Sequence, residues 1–105
     1  MNNLDDQNFE DVINNSSRPV LVDVYTHWCP PCNVLGPVLE KLSKEYEGRV
    51  DFYKMNLDQC PKVGDKLMID RIPTVILFVR GEIKTSFIGL REEEEIRNLI
   101  NSNII

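Results

Sequence analysis

The stretch Val20-Leu21-Val22-Asp23-Val24-Tyr25 constrains this chain more than any other. It is β-branched and apolar at almost every position, the pattern of a strand covered on both faces. After Thr26, His27 and Trp28 comes Cys29-Pro30-Pro31-Cys32. Then follows an apolar stripe at helical spacing, Leu35, Leu39, Leu42 and Tyr46, flanked by Val34 and Val38. A buried strand, a cysteine pair and an amphipathic helix in that order place the pair at a strand-to-helix junction.

The rest of the chain supplies the other elements. Asp5 or Asp6 can cap a first helix whose buried face is Phe9, Val12 and Ile13. Polar residues 14–19 end it. The helix after the cysteines is expected over 32–47, with Gly48 as a left-handed ending and a kink at Pro37. Residues 50–55 read as a strand and 58–66 as a loop and short helix. Residues 75–79 and 83–88 read as an antiparallel pair around the turn Arg80-Gly81. A last helix starts near Arg91. Glu92 to Glu95 sit in its first turn, where negative charge suits the helix dipole, and Ile96, Leu99 and Ile100 face inward. Early strand–helix alternation implies a parallel part of the sheet, and the closing hairpin adds an antiparallel part.

With 105 residues the chain suits one domain, spanning 1–105, that hides roughly two-thirds of its unfolded surface. A net charge of −5 with no basic patch argues against nucleic acid. No apolar run approaches the ~20 residues of a membrane span, and residues 1–6 carry no signal-peptide pattern. The expected location is therefore the cytoplasm. Thiols are kept reduced there, so a close cysteine pair points to catalysis or metal binding rather than a staple.

Two cysteines three apart at a helix start lie close enough to bond. The unpaired N–H groups of the first turn stabilise a thiolate, and thiols so placed have a pKa near ~7 rather than ~8.5. Cys29, at or just before that turn, is expected to be the more exposed and nucleophilic; Cys32 lies inside it. Prolines are tolerated there because their missing N–H would be unbonded anyway. A zinc site would need Cys29, Cys32, Cys60 and His27, and it lacks the second closely spaced ligand pair such sites usually show. Asp23, a carboxylate in an apolar strand, is expected to have a raised pKa unless it points to an exposed edge. Lys54 reads as a neighbour on the next strand or as a solvated lysine. His27 reads as an exposed loop residue or, if protonated, a help to the Cys29 thiolate. Cys60 is an unreactive thiol at a helix start or a redox-sensitive, dimer-forming one.

The segment Val22 to Cys32 resembles the thioredoxin family. So do Gly36-Pro37, Lys54-Met55-Asn56-Leu57-Asp58, Arg71-Ile72-Pro73-Thr74, Phe78 through Gly81, and Ile88-Gly89. The likeness runs in order along nearly the whole chain. It implies an α/β three-layer sandwich, a central mixed β-sheet with helices on both faces; the few residues before the first helix leave its first strand very short or missing. It implies that Cys29 attacks a substrate disulfide and Cys32 resolves the mixed disulfide. Asp23 would relay a proton to or from Cys32, with Lys54 as its neighbour. Pro73 would be a cis-proline beside the sulfurs, which also explains a proline at the start of an interior strand. Trp28, Ile72, Ile88 and Gly89, with Pro30 and Pro31, would form the surface that receives an extended peptide. The implied partners are protein disulfides and a thioredoxin reductase or similar electron donor, without cofactor or metal. A monomer is expected because no extra apolar face is left over.

The chain also departs from the family. Pro30 stands where glycine is usual, Tyr25 where tryptophan is common, and Asn33 where a basic residue is usual. Pro30 raises the alternatives of a disulfide oxidant or isomerase; a non-catalytic docking module of the same fold is a further one. An intact set of Cys29, Cys32, Asp23 and Pro73 argues against the docking module.

Overall fold

The run Val20–Tyr25 (β2) lies in the middle of a five-stranded sheet whose order is Asn2–Asn3, Asp51–Asn56, Val20–Tyr25, Thr74–Val79, Glu82–Ile88. The computed structural model describes all 105 residues. In chain order the elements are β1 (Asn2–Asn3), α1 (Phe9–Asn15), β2, α2 (Pro30–Glu45), β3 (Asp51–Asn56), a 3-10 turn (Leu57–Gln59), α3 (Pro61–Lys66), β4 (Thr74–Val79), β5 (Glu82–Ile88) and α4 (Glu93–Asn103). β2 pairs parallel to β3 and antiparallel to β4, and β5 closes the sheet antiparallel to β4. This is the mixed α/β sheet expected, with a first strand of only two residues.

Strand alternation sorts β2 between two cores. Leu21 faces α2 and α4 and packs with Leu35, Leu39, Leu42, Phe52, Ile96 and Ile100. Val20, Val22 and Val24 face the other way, toward Phe9, Ile13, Met55, Cys60 and Val63. Asp23 shares the parity of Leu21, so it points to the α2 side. Its register partner on β3 is Lys54, two residues on from Phe52, which belongs to that same core.

Several element ends differ from the reading above. α2 begins at Pro30, not at 32, because both prolines carry helical geometry and Cys29 is the N-cap. It runs through Pro37 to Glu45, and Gly48 takes a φ of 85° just beyond. Asn8 precedes α1 without a capping bond, and of the two expected caps it is Asp5 that closes the turn leading into the helix, its carbonyl accepting the N–H of Phe9 at 3.1 Å. Asp5 Oδ1 accepts from the N–H groups of Gln7 and Asn8, each at 2.9 Å, in the preceding turn. Asp6 instead caps α3, accepting from the N–H groups of Val63 at 2.9 Å and Lys62 at 3.2 Å. The surface also keeps more apolar residues than expected, Val34, Met68, Ile83 and Leu90 among them. No helix is long and apolar enough to cross a membrane.

Candidate active site

The sheet delivers the chain from the end of β2 directly to the start of α2. Cys29 has extended backbone geometry, as an N-cap should, and its Sγ accepts the N–H of Cys32 at 3.2 Å. Pro30 follows as the first helical residue, its ring preset for that position. Cys29 and Cys32 are joined as a disulfide, with Cα atoms 5.2 Å apart. Both are 4% exposed, so the greater exposure expected of Cys29 is absent in this oxidised pair, where each sulfur covers the other. Position still separates them: Cys29 sits ahead of the first turn, where orphan N–H groups converge, and Cys32 within it.

Beneath the pair lies a cleft of about 520 Å³ that Cys32, Asp23, Lys54 and Tyr25 line together with Pro37 and Glu40 of α2. Asp23 is 3% exposed, so the exposed-edge reading is excluded. Burial pushes its carboxyl up to about 6, with the Lys54 ammonium pulling the other way. Its Oδ1 has no hydrogen-bond partner. A group half ionised near pH 6 and opening onto the same space as Cys32 is equipped to exchange protons. A larger cleft, about 670 Å³, lies beside β1 and the end of α2 and contains neither cysteine.

Around the pair the other expected residues take varied places. Trp28 is 70% exposed, and its indole N–H donates to Asp58 Oδ2 at 2.8 Å. Asp58 is held in turn by its own N–H on Asn56 Oδ1. The Ile72–Pro73 peptide is cis. The Pro73 carbonyl accepts the N–H of Gly89 at 2.9 Å, which ties the end of β5 to the proline loop. Ile88 is exposed, while Ile72 is half-buried and packed partly against the core. Pro30 is exposed and Pro31 half-buried. His27 is exposed, with its ring edge-on to Tyr25 at 5.6 Å.

Cys60 belongs elsewhere. It is buried in the core on the opposite side of the sheet from Asp23, its thiol donating to the Leu4 carbonyl at 3.7 Å. Burial, then Asp6 and Asp5, push its pKa up, so it is the unreactive thiol of the two readings.

Sequence reasoning missed two groups. Asp58, which fixes the indole, lies 30 residues from Trp28, and no local pattern marks the contact. Thr26 is fully buried with an unpartnered Oγ1 between β2 and the cysteines. A hydroxyl continuing a buried strand was the available signal.

A helix-capping cysteine bonded to its neighbour one turn on, with a buried acid of raised pKa beneath, defines a dithiol–disulfide exchange protein. Comparison with known proteins narrows that class. The thioredoxin family model matches residues 1–102. The chain is 42% identical to a thioredoxin of Rickettsia bellii over 102 residues, 97% of each chain. It is 38% identical to a thioredoxin of Buchnera aphidicola over 101 residues, 96% of this chain and 94% of the relative. It is also 41% identical over 86 residues to a chloroplastic M-type thioredoxin of Pisum sativum, covering 82% of this chain and 50% of that one. The chain belongs to the thioredoxin family, and it is a thiol–disulfide oxidoreductase that acts as a protein-disulfide reductase. Its partners in general are protein disulfides and a reductase.

Proposed function

We propose that the chain reduces cytoplasmic protein disulfides by the following division of labour, carried above all by the Asp23–Cys32 cleft beneath a helix-capping Cys29. In the reduced protein the Cys29 thiolate attacks one sulfur of a substrate disulfide. The substrate S–S bond breaks, a mixed disulfide forms, and one substrate sulfur leaves as thiolate. Asp23 takes the proton of Cys32, and the new Cys32 thiolate attacks Cys29 Sγ. The second substrate thiolate leaves and the Cys29–Cys32 disulfide remains, so two electrons have passed to the substrate. A separate reductase returns them. Lys54 limits the upward shift of Asp23. Trp28, Pro30, Pro31, Ile72, Pro73, Ile88 and Gly89 form the receiving surface. Every group comes from one chain, so a monomer suffices.

Two variants and one potential test this reading. Cys29→Ser abolishes insulin disulfide reduction, and Cys32→Ser accumulates covalent substrate that dithiothreitol releases. Turnover by Cys29→Ser would overturn the assignment. The potential of the pair, read by mass tagging in thiol–disulfide buffers, is expected near about −270 mV, as in thioredoxin. A value nearer about −120 to −180 mV would mean an oxidant or isomerase instead.

A further inference from the structure

A groove of about 320 Å³ lies between the outer face of α2 and the segment joining β5 to α4. Val34 and Val38 line it from α2 and Leu90 from the other side. Val34 is 59% exposed and Leu90 47%, so water covers apolar surface there. Val34 lies two residues past Cys32, and Leu90 follows Gly89, whose N–H is tied to Pro73. The groove is therefore flanked by residues that adjoin the redox pair and the proline loop along the chain.

Its wall is the start of α4, with Glu92, Glu93 and Glu95 beside Arg91. These charges do not cancel. The Arg91 guanidinium donates to the carbonyls of Ile88 at 3.0 Å and Leu90 at 2.9 Å, and it lies over the Phe87 ring. Those bonds turn the cation toward its own backbone and leave its charge in place. Glu93 is engaged by Lys41 at 3.1 Å and Arg97 at 2.9 Å. Glu92 and Glu95 are exposed and join no ion pair. Asn33, exposed beside Val34, adds no cation. Glu92 and Glu95 form the capping box of α4, the Glu92 N–H donating to Glu95 Oε1 at 3.4 Å, yet their two exposed charges still exceed Arg91 and the roughly half charge of the helix start together.

We propose that this groove is a specificity subsite that selects substrate proteins carrying a basic side chain next to an apolar one beside the reducible disulfide. The proposal rests on the reductase reading and names the substrate class it prefers. The apolar residue covers Val34 and Leu90, and the basic one meets Glu92 and Glu95. Charge at such a rim acts mainly on encounter and register.

The test uses two synthetic peptides with the same intramolecular disulfide and apolar residues, one with two flanking lysines and one with two glutamates. Neutral 2-hydroxyethyl disulfide serves as the reference substrate. At low salt the lysine peptide is expected to show roughly tenfold higher kcat/KM, mostly through KM, with the gap shrinking as salt rises. The double variant Glu92→Gln/Glu95→Gln keeps side chains able to cap α4. It is expected to bring the two peptides within about twofold of each other by that electrostatic origin, with hydroxyethyl disulfide unaffected. Leu90→Ser is expected to raise KM for both peptides. Equal rates for the two peptides in the parent, or a preference that survives the double variant, would overturn the subsite. Failure of the parent to reduce hydroxyethyl disulfide would instead strike the reductase reading itself.

Discussion

Asp23 shows how one residue ties stability to function. Its ordinary pKa is 3.8 and its folded one about 6, a rise caused by burial. Between those values the folded chain holds a proton that the unfolded chain has lost, so stability falls as pH rises through that window. The full difference is on the order of 3 kcal/mol, reached above about pH 6 and absent below about pH 4. Asp23→Asn removes the charge and keeps the shape. We expect the variant to be more stable than the parent at pH 8 by about 2–3 kcal/mol, with the gain shrinking through pH 6 and gone near pH 4. Urea titrations of both oxidised proteins at those three pH values measure this. A gain that did not change with pH would mean that Asp23 is not the ionised, buried group described. The parent is expected to reduce peptide disulfides faster as pH passes about 6, and the same variant to lose that rise, since an amide cannot take the proton of Cys32.

This residue was legible because a charge in a β-branched run has few explanations. The cysteines were legible because Val20–Tyr25, the loop and α2 are contiguous, so the site's centre is written in one stretch. Asp58 and the true role of Asp6 were not, because their partners are 30 and 57 residues away. Which of two adjacent aspartates meets α3 depends on how α1 and α3 pack, and no local pattern carries that.

At the scale of an element, α2 does two jobs with two faces. Its inner face, Leu35, Leu39 and Leu42, is closed in the core with Ile96 and Ile100 of α4. Its outer face leaves Val34 in water. The helix is thereby held rigidly under the cysteine it presents. Leu39→Ala opens a cavity where nothing is exposed, and we expect a loss of about 2–5 kcal/mol. Val34→Ala on the same helix should change stability by less than about 0.5 kcal/mol. Thermal or urea unfolding of the two variants checks the contrast. Similar losses for both would mean that the outer face is covered by something packed against it. The stripe of inner residues was readable from spacing alone. The start at Pro30 was not, since prolines in a row read equally well as loop or first turn.

At the scale of the molecule, redox state and folding form one cycle. The disulfide exists in the oxidised folded chain, and breaking it leaves both thiols at the start of α2. The free energy of oxidising the folded pair differs from that of the unfolded pair by the stability difference between oxidised and reduced protein. For a two-electron couple about 30 mV corresponds to 1.4 kcal/mol. Pro30 is the residue in which to read this. It is exposed, it is the first residue of α2, and its ring restricts the backbone between the sulfurs. Replacing it with glycine frees that backbone and keeps both cysteines. Stability of the oxidised and reduced forms is measured for parent and Pro30→Gly, and the potential of each is measured folded and in denaturant. The change in folded potential, corrected for the change in denaturant, should equal the change in the oxidised–reduced stability gap at that conversion. A folded potential that changes more than the potential in denaturant would place the effect of Pro30 in the folded helix start. If instead the whole change appeared in denaturant, Pro30 would act by stiffening the unfolded loop, and the geometry of α2 would not set the potential.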